Sequence, residues 1–301
     1  MAEFLEGLAT HDAKLAMALA STEANNRLCN SLKEAVLRGW ASVSPDDAAA
    51  WALALTDGER QTAIEIVFFG AAKQPELAIK LGVRLCTDDP GSASDYGQFL
   101  IHGLTELGSY EEAARFAVEA RFGNQDAWLN LAFSEWASHD PEQALAAYEK
   151  ITDLQVRNAA FPGVIEGWVM ANPASAAAYA ARMAPGDDRT QVLGQALPQW
   201  ASRDPLAASE WLGKNIEPGQ DLNATVAAVT AMPNFVNQHP EMAVKWAEKI
   251  TEPVLRTNTM RAIAQQWVQR DPIGLRRYLD ANAKLAPIDR VALQEGASSP
   301  P

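Results

Sequence analysis

Apolar residues recur along this chain at helical spacing, in blocks that close on an aromatic residue and restart at a proline. Between Asn124 and Ile151 the apolar positions Trp128, Leu129, Ala132 and Phe133 lie eight, seven, four and three residues ahead of Trp136, which places them on one stripe of a helix. Ala160, Phe161, Val164 and Ile165 hold the same places ahead of Trp168. Variants of the motif WASHDPEQALAAY open at Trp40, Trp168, Trp200, Phe235 and Trp267, each with proline five residues on. The column Pro45, Pro75, Tyr110, Pro141, Pro173, Pro205, Pro240 and Pro272 advances by 30 to 35 residues per step. A fixed period of that length with no strand pattern between copies predicts an all-α chain of about eight stacked helical hairpins.

The motif has a local physical basis. The residues before the column are Ser44, Gln74, Ser109, Asp140, Asn172, Asp204, His239 and Asp271, mostly side chains able to accept from the free amides of a helix start. Proline follows at the first helical position, where its missing N–H costs nothing. Small residues three further on (Ala48, Ala78, Ala113, Ala144, Ala176, Ala208, Ala243) leave room for close helix packing, and Trp51, Tyr179, Trp211, Trp246 and Tyr278 fall three beyond that on the same face. In the copy with Trp136 this aromatic slips by one, to Tyr148. Pro198 and Pro233 interrupt first helices and predict kinks, while Pro162 reads as an early-turn proline. Breakers at Pro185-Gly186, Pro218-Gly219, Pro253 and Pro287 separate successive hairpins.

Trp128, Leu131, Ala132, Ala144 and Tyr148 have the residue types and spacing of the tetratricopeptide repeat, and Leu104 to Ala120 resembles the second half of another copy. The chain thus resembles that family, which implies a right-handed α-solenoid whose first helices line a concave groove for a peptide or a partner helix. The expected layout is one elongated domain over 1–301: a capping helix within 1–25, repeats over 26–284, then a closing helix at Ile288–Leu293 and a mobile tail within 285–301.

Composition adds bounds. The 301 residues are 48% hydrophobic and 21% charged, an ordinary globular balance, with a formal net charge of −13 that opposes binding to nucleic acid. No apolar run approaches membrane-spanning length. The compartment is open: cytoplasmic if the chain is complete, periplasmic or extracellular if a signal peptide has been removed. Cys29 and Cys86 lack paired spacing and read as structural thiols.

Candidate chemistry is sparse. The four histidines, His11, His102, His139 and His239, fall in different repeats without ligand spacing, so no metal site, cofactor site or catalytic residue is predicted. Asp140, Asp204 and Asp271 are accounted for as caps, and Arg157, Arg189 and Arg256 recur eleven residues ahead of their aromatics, which suits contacts between repeats. The candidate groove comprises the polar residues beside the aromatics, Arg38, Glu135, Glu166, Gln199, Asn234 and Gln266, with Trp136, Trp168 and Trp200. Periodicity places those three rings in the core, and the family resemblance places the Trp136 column in the groove. The leading expectation is a noncatalytic, monomeric scaffold for a protein or peptide partner. The alternative is a helical-repeat protein or enzyme handling a glycan or cell-wall fragment.

Overall fold

The structure, a computed structural model, describes residues 1–215, 223, 225, 226, 229, 230 and 233–298, and of Asp57, Pro233 and Asn234 the backbone alone. All regular structure among these residues is helical. The sequence pattern predicts one domain; by contacts the chain divides into two compact units, Met1–Gly167 and Trp168–Pro301.

The first unit holds α1 (Ala2–Ala9), α2 (Ala13–Ala20), α3 (Asn26–Ala41), α4 (Pro45–Leu53), α5 (Asp57–Ala71), α6 (Pro75–Asp88), α7 (Ala93–Glu106), α8 (Tyr110–Glu119), α9 (Gln125–His139), α10 (Pro141–Glu149) and most of α11 (Leu154–Ala171). The second holds α12 (Pro173–Arg182), α13 (Asp187–Arg203), α14 (Pro205–Asn215), α15 (Pro233–Gln238), α16 (Pro240–Ala247), α17 (Pro253–Arg270), α18 (Pro272–Ala281) and α19 (Pro287–Ser298). A helix starts at each of the eight positions of the proline column.

The five-residue spacing from aromatic to proline is the length of a one-residue turn. The amide of Asp140 donates to the Trp136 carbonyl at 2.8 Å, closing α9, and the Asp140 carbonyl accepts from Ala144 at 3.1 Å, opening α10. Asn172 joins Trp168 to Ala176 in the same way, and Asp204 joins Trp200 to Ala208. Where the linking residue is Asp or Asn its conformation is nearly constant, φ −139° and ψ 89° at Asp140 against φ −142° and ψ 78° at Asp271. Asp140, Asn172, Asp204 and Asp271 also accept from the amide three residues on, as expected of caps. Ser44, Gln74, Ser109 and His239 make no such bond. Gln74 instead donates its side-chain amide to the Ser42 carbonyl at 2.5 Å. Tyr110, the column member that is not proline, follows Gly108, whose φ of 80° makes the left-handed turn that ends α7.

Behind five of the eight turns two aromatics meet. Ring centroids lie 6.4 Å apart for Trp40–Trp51, 5.0 Å for Trp168–Tyr179, 5.7 Å for Trp200–Trp211, 5.3 Å for Phe235–Trp246 and 5.4 Å for Trp267–Tyr278. The slip to Tyr148 has a consequence: its ring packs on Phe161 of α11 at 5.7 Å and carries Arg157 over its face at 5.0 Å. The seven column alanines of the second helices are fully buried.

In the first unit α1 packs on α3, α3 on α5, α5 on α7 and α7 on α9. These helices approach through glycine. A Cβ on Gly39 would overlap the Glu6 carbonyl, one on Gly70 would lie 2.5 Å from the Arg38 carbonyl oxygen, and one on Gly103 would lie 3.0 Å from that of Phe68.

Three expectations are corrected. The single N-terminal helix is two, because Asp12 accepts from the Leu15 amide at 2.9 Å and caps α2. Pro162 is interior to α11, eight residues past its start, and withholds an amide from the Asn158 carbonyl. The tail expected to be mobile is helical through Ser298: α19 packs on α17, Gly296 admits the Arg261 carbonyl, and Arg261 pairs with Glu295 at 2.8 Å. Pro198 is interior to α13 as expected, and Pro218-Gly219 lies outside the described residues.

Candidate functional site

In the first unit, Trp136 is 6% exposed and packs on Phe133, so it belongs to the core. Arg38 is half-exposed on α3 with Nε 3.9 Å from the Glu6 carboxylate, Glu135 is half-buried and Glu166 is exposed. In the second unit Trp168 is buried and its indole N–H donates to Ser175 Oγ at 2.7 Å, whereas Trp200 is half-buried. Gln199 is exposed. Gln266 is half-buried, with a side-chain oxygen that has no hydrogen-bond partner among the described residues. The side chain of Asn234 lies outside those described. The recurrent arginines make contacts between helices: Arg157 lies over Tyr148, and Arg256 forms a two-point pair with the fully buried Asp289 of α19. The histidines beside the turns pack as rings, His139 on Tyr110 at 4.9 Å and His239 on Phe235 at 5.9 Å.

A large recess lies elsewhere, between the second helices of two successive pairs in the second unit. It has a volume of about 800 Å³. The one-residue turns set its edge, because His239 and Asp271 immediately precede α16 and α18. Glu241 and Lys245 of α16 face it, as do Arg277 and Tyr278 of α18 and Trp267 at the end of α17. Asp271 is already engaged, accepting from the Gly274 amide at 2.8 Å, and a Cβ at Gly274 would overlap its carboxylate. Burial, reinforced by the charges of Glu248 and Glu241, pushes the Tyr278 hydroxyl up to about 12, so it stays a neutral donor at physiological pH. The recess therefore offers cations from Lys245 and Arg277, an anion from Glu241 and two largely buried aromatic side chains.

Sequence reasoning missed Lys245 and Arg277. Each reads as an ordinary solvent-facing charge, and only the packing of two helix pairs brings them to one recess. Two smaller recesses lie elsewhere in the chain. One of about 710 Å³ in the second unit is bordered by Glu248, Lys249, Thr251 and Arg256. One of about 300 Å³ in the first unit lies between α3, α4 and α5.

Charge is divided as unevenly as the recesses. Residues 1–167 carry 25 Asp and Glu against 12 Lys and Arg, whereas residues 168–301 carry 13 of each, so the whole net charge of −13 resides in the first unit. Among the described residues no group of three or more His, Cys, Asp or Glu is placed to hold a metal ion, and no helix is long and apolar enough to cross a membrane. Comparison with protein-family models, with curated proteins and with solved structures finds no match in any of the three.

Proposed function

We propose that the protein is a noncatalytic interaction scaffold, built of tetratricopeptide-like helix pairs, that holds a peptide segment of a protein partner. The observation that carries this is the composition of the 800 Å³ recess: charges of both signs ring it, while one of its two carboxylates, Asp271, is committed to capping α18. Such a surface recognises a charged, irregular ligand through paired contacts around an apolar centre. A glycan ligand is less well served, because Trp267 and Tyr278, at 5% and 6% exposure, leave little ring surface for stacking.

Panning a random peptide display library against the full-length protein tests the proposal. Enriched peptides are expected to lose about tenfold or more in affinity for the double charge reversal Lys245→Glu, Arg277→Glu, as at an interface hot spot. Enrichment of no sequence would count against the scaffold, and equal binding to that variant with its helicity intact would take the peptide site away from this recess.

A further inference from the structure

The 300 Å³ recess in the first unit has an apolar floor. Leu37 of α3, Trp51 of α4, Leu55 after it and Ile66 of α5 line it, with Glu34, Glu59 and Lys33 at the rim. Leu37 is buried, whereas Trp51, Leu55 and Ile66 are only half-buried and keep apolar surface open to the recess. The walls are held in place. Trp51 is backed by Trp40 at 6.4 Å, and the Arg60 guanidinium donates to the Leu55 carbonyl at 3.1 and 3.3 Å, fixing the connection from α4 to α5.

We propose that this recess docks a basic amphipathic peptide segment of a partner, which inserts one bulky apolar side chain between Leu37, Trp51 and Ile66 and sets its lysines or arginines against Glu34 and Glu59. Volume and charge both select this occupant. A space of 300 Å³ takes one large side chain and excludes a folded domain. The 25 carboxylates against 12 basic residues in this unit attract cationic segments and repel acidic ones and anionic lipid surfaces, an effect that speeds encounter and penalises wrong partners. Lys33 places one cation at the same rim, so the flanking charges of the ligand belong on the side of Glu34 and Glu59. This site is separate from the recess beside Lys245 and Arg277, and each can fail without the other.

The test uses the full-length protein and three fluorescein-labelled synthetic peptides read by anisotropy. One is a helix-forming peptide with leucine and tryptophan on one face and lysine on the other, one has glutamate for every lysine, and one has alanine for every leucine and tryptophan. The first alone is expected to bind, with an affinity that falls as salt rises. Ile66→Asp and the double variant Glu34→Lys, Glu59→Lys are each expected to weaken it about tenfold or more, judged with helicity as the control for folding. Binding of the alanine peptide as tightly as the first would mean charge alone, and would overturn the proposal. So would tight binding of the glutamate peptide, no binding of any, or binding indifferent to the surface pair Glu34 and Glu59. Concentration-dependent self-association lost in Ile66→Asp would assign the recess to a second copy of this chain instead.

Discussion

The rings of Trp168 and Tyr179 stand 5.0 Å apart at the closed end of one helix pair, and the Trp168 indole N–H reaches Ser175 Oγ on the same second helix. Trp168 is thereby held by a ring contact and at its polar edge. Trp200 makes the equivalent pair with Trp211 at 5.7 Å yet stays half-buried. Trp168→Ala is expected to cost about 3–5 kcal/mol, the range for removing a buried ring and leaving a cavity, and Trp200→Ala clearly less. Urea midpoints of the two variants decide it. Equal shifts, or a negligible shift for Trp168→Ala, would remove the aromatic pair as the element that holds each hairpin shut.

Close approach of helices makes a sharper contrast between two glycines. A Cβ at Gly167 would overlap the Ser134 carbonyl oxygen and sit 2.8 Å from the Ser138 amide nitrogen, both backbone atoms that cannot rotate away. Gly194, inside α13, has nothing within 4 Å of the same position. Gly167→Ala is expected to destabilise by about 1–3 kcal/mol through overpacking. Gly194→Ala should stabilise by up to about 1 kcal/mol, since alanine is the better helix former. Thermal unfolding of the pair checks the sign, and a gain from Gly167→Ala would contradict the packing of α11 on α9.

The helix frame was legible wherever a local rule set it. Proline after Asp140, Asn172, Asp204 or Asp271 joins a capping side chain to a fixed φ, and both act within five residues of chain, so each second helix was placed from sequence. The break between α1 and α2 carries the same aspartate cap at Asp12, but alanine follows it in place of proline and the signal fades. The helical tail was hidden because Glu295 and Gly296 look like coil until Arg261, 34 residues earlier, pairs with one and packs on the other. The two lined recesses were illegible for the same reason, since Lys245 with Arg277, and Trp51 with Ile66, meet only through packing between helices.

Asp289 is fully buried, and both its oxygens accept from Arg256, whose side chain is 26% exposed. Removing one partner leaves the other charge without compensation in a poorly solvated place. Asp289→Leu or Arg256→Met alone is expected to cost about 3–5 kcal/mol. The double variant Asp289→Leu, Arg256→Met should recover much of that loss, because no charge is then left buried. A double-mutant cycle from urea denaturation measures the coupling. Additive losses would show that α19 is held on α17 by its apolar contacts and Gly296, with the ion pair contributing nothing of its own.

Glu248, at the border of the 710 Å³ recess, has its carboxyl raised above the ordinary value of 4.5, first by burial and then by the charge of Asp289, with Arg256 and Lys245 opposing. A carboxyl that binds its proton more tightly in the folded than in the unfolded protein stabilises the fold most when protonated. Its contribution is therefore fully present below pH 4.5 and is lost as pH rises through the raised value. Glu248→Gln keeps the shape and cannot ionise. The variant should match the wild type near pH 4 and become the more stable of the two as pH rises from about 4.5 toward neutrality. Urea midpoints across that range give the comparison. A wild type that gains on the variant as pH rises would mean that Arg256 and Lys245 outweigh burial and that the carboxylate is the favoured form in the fold.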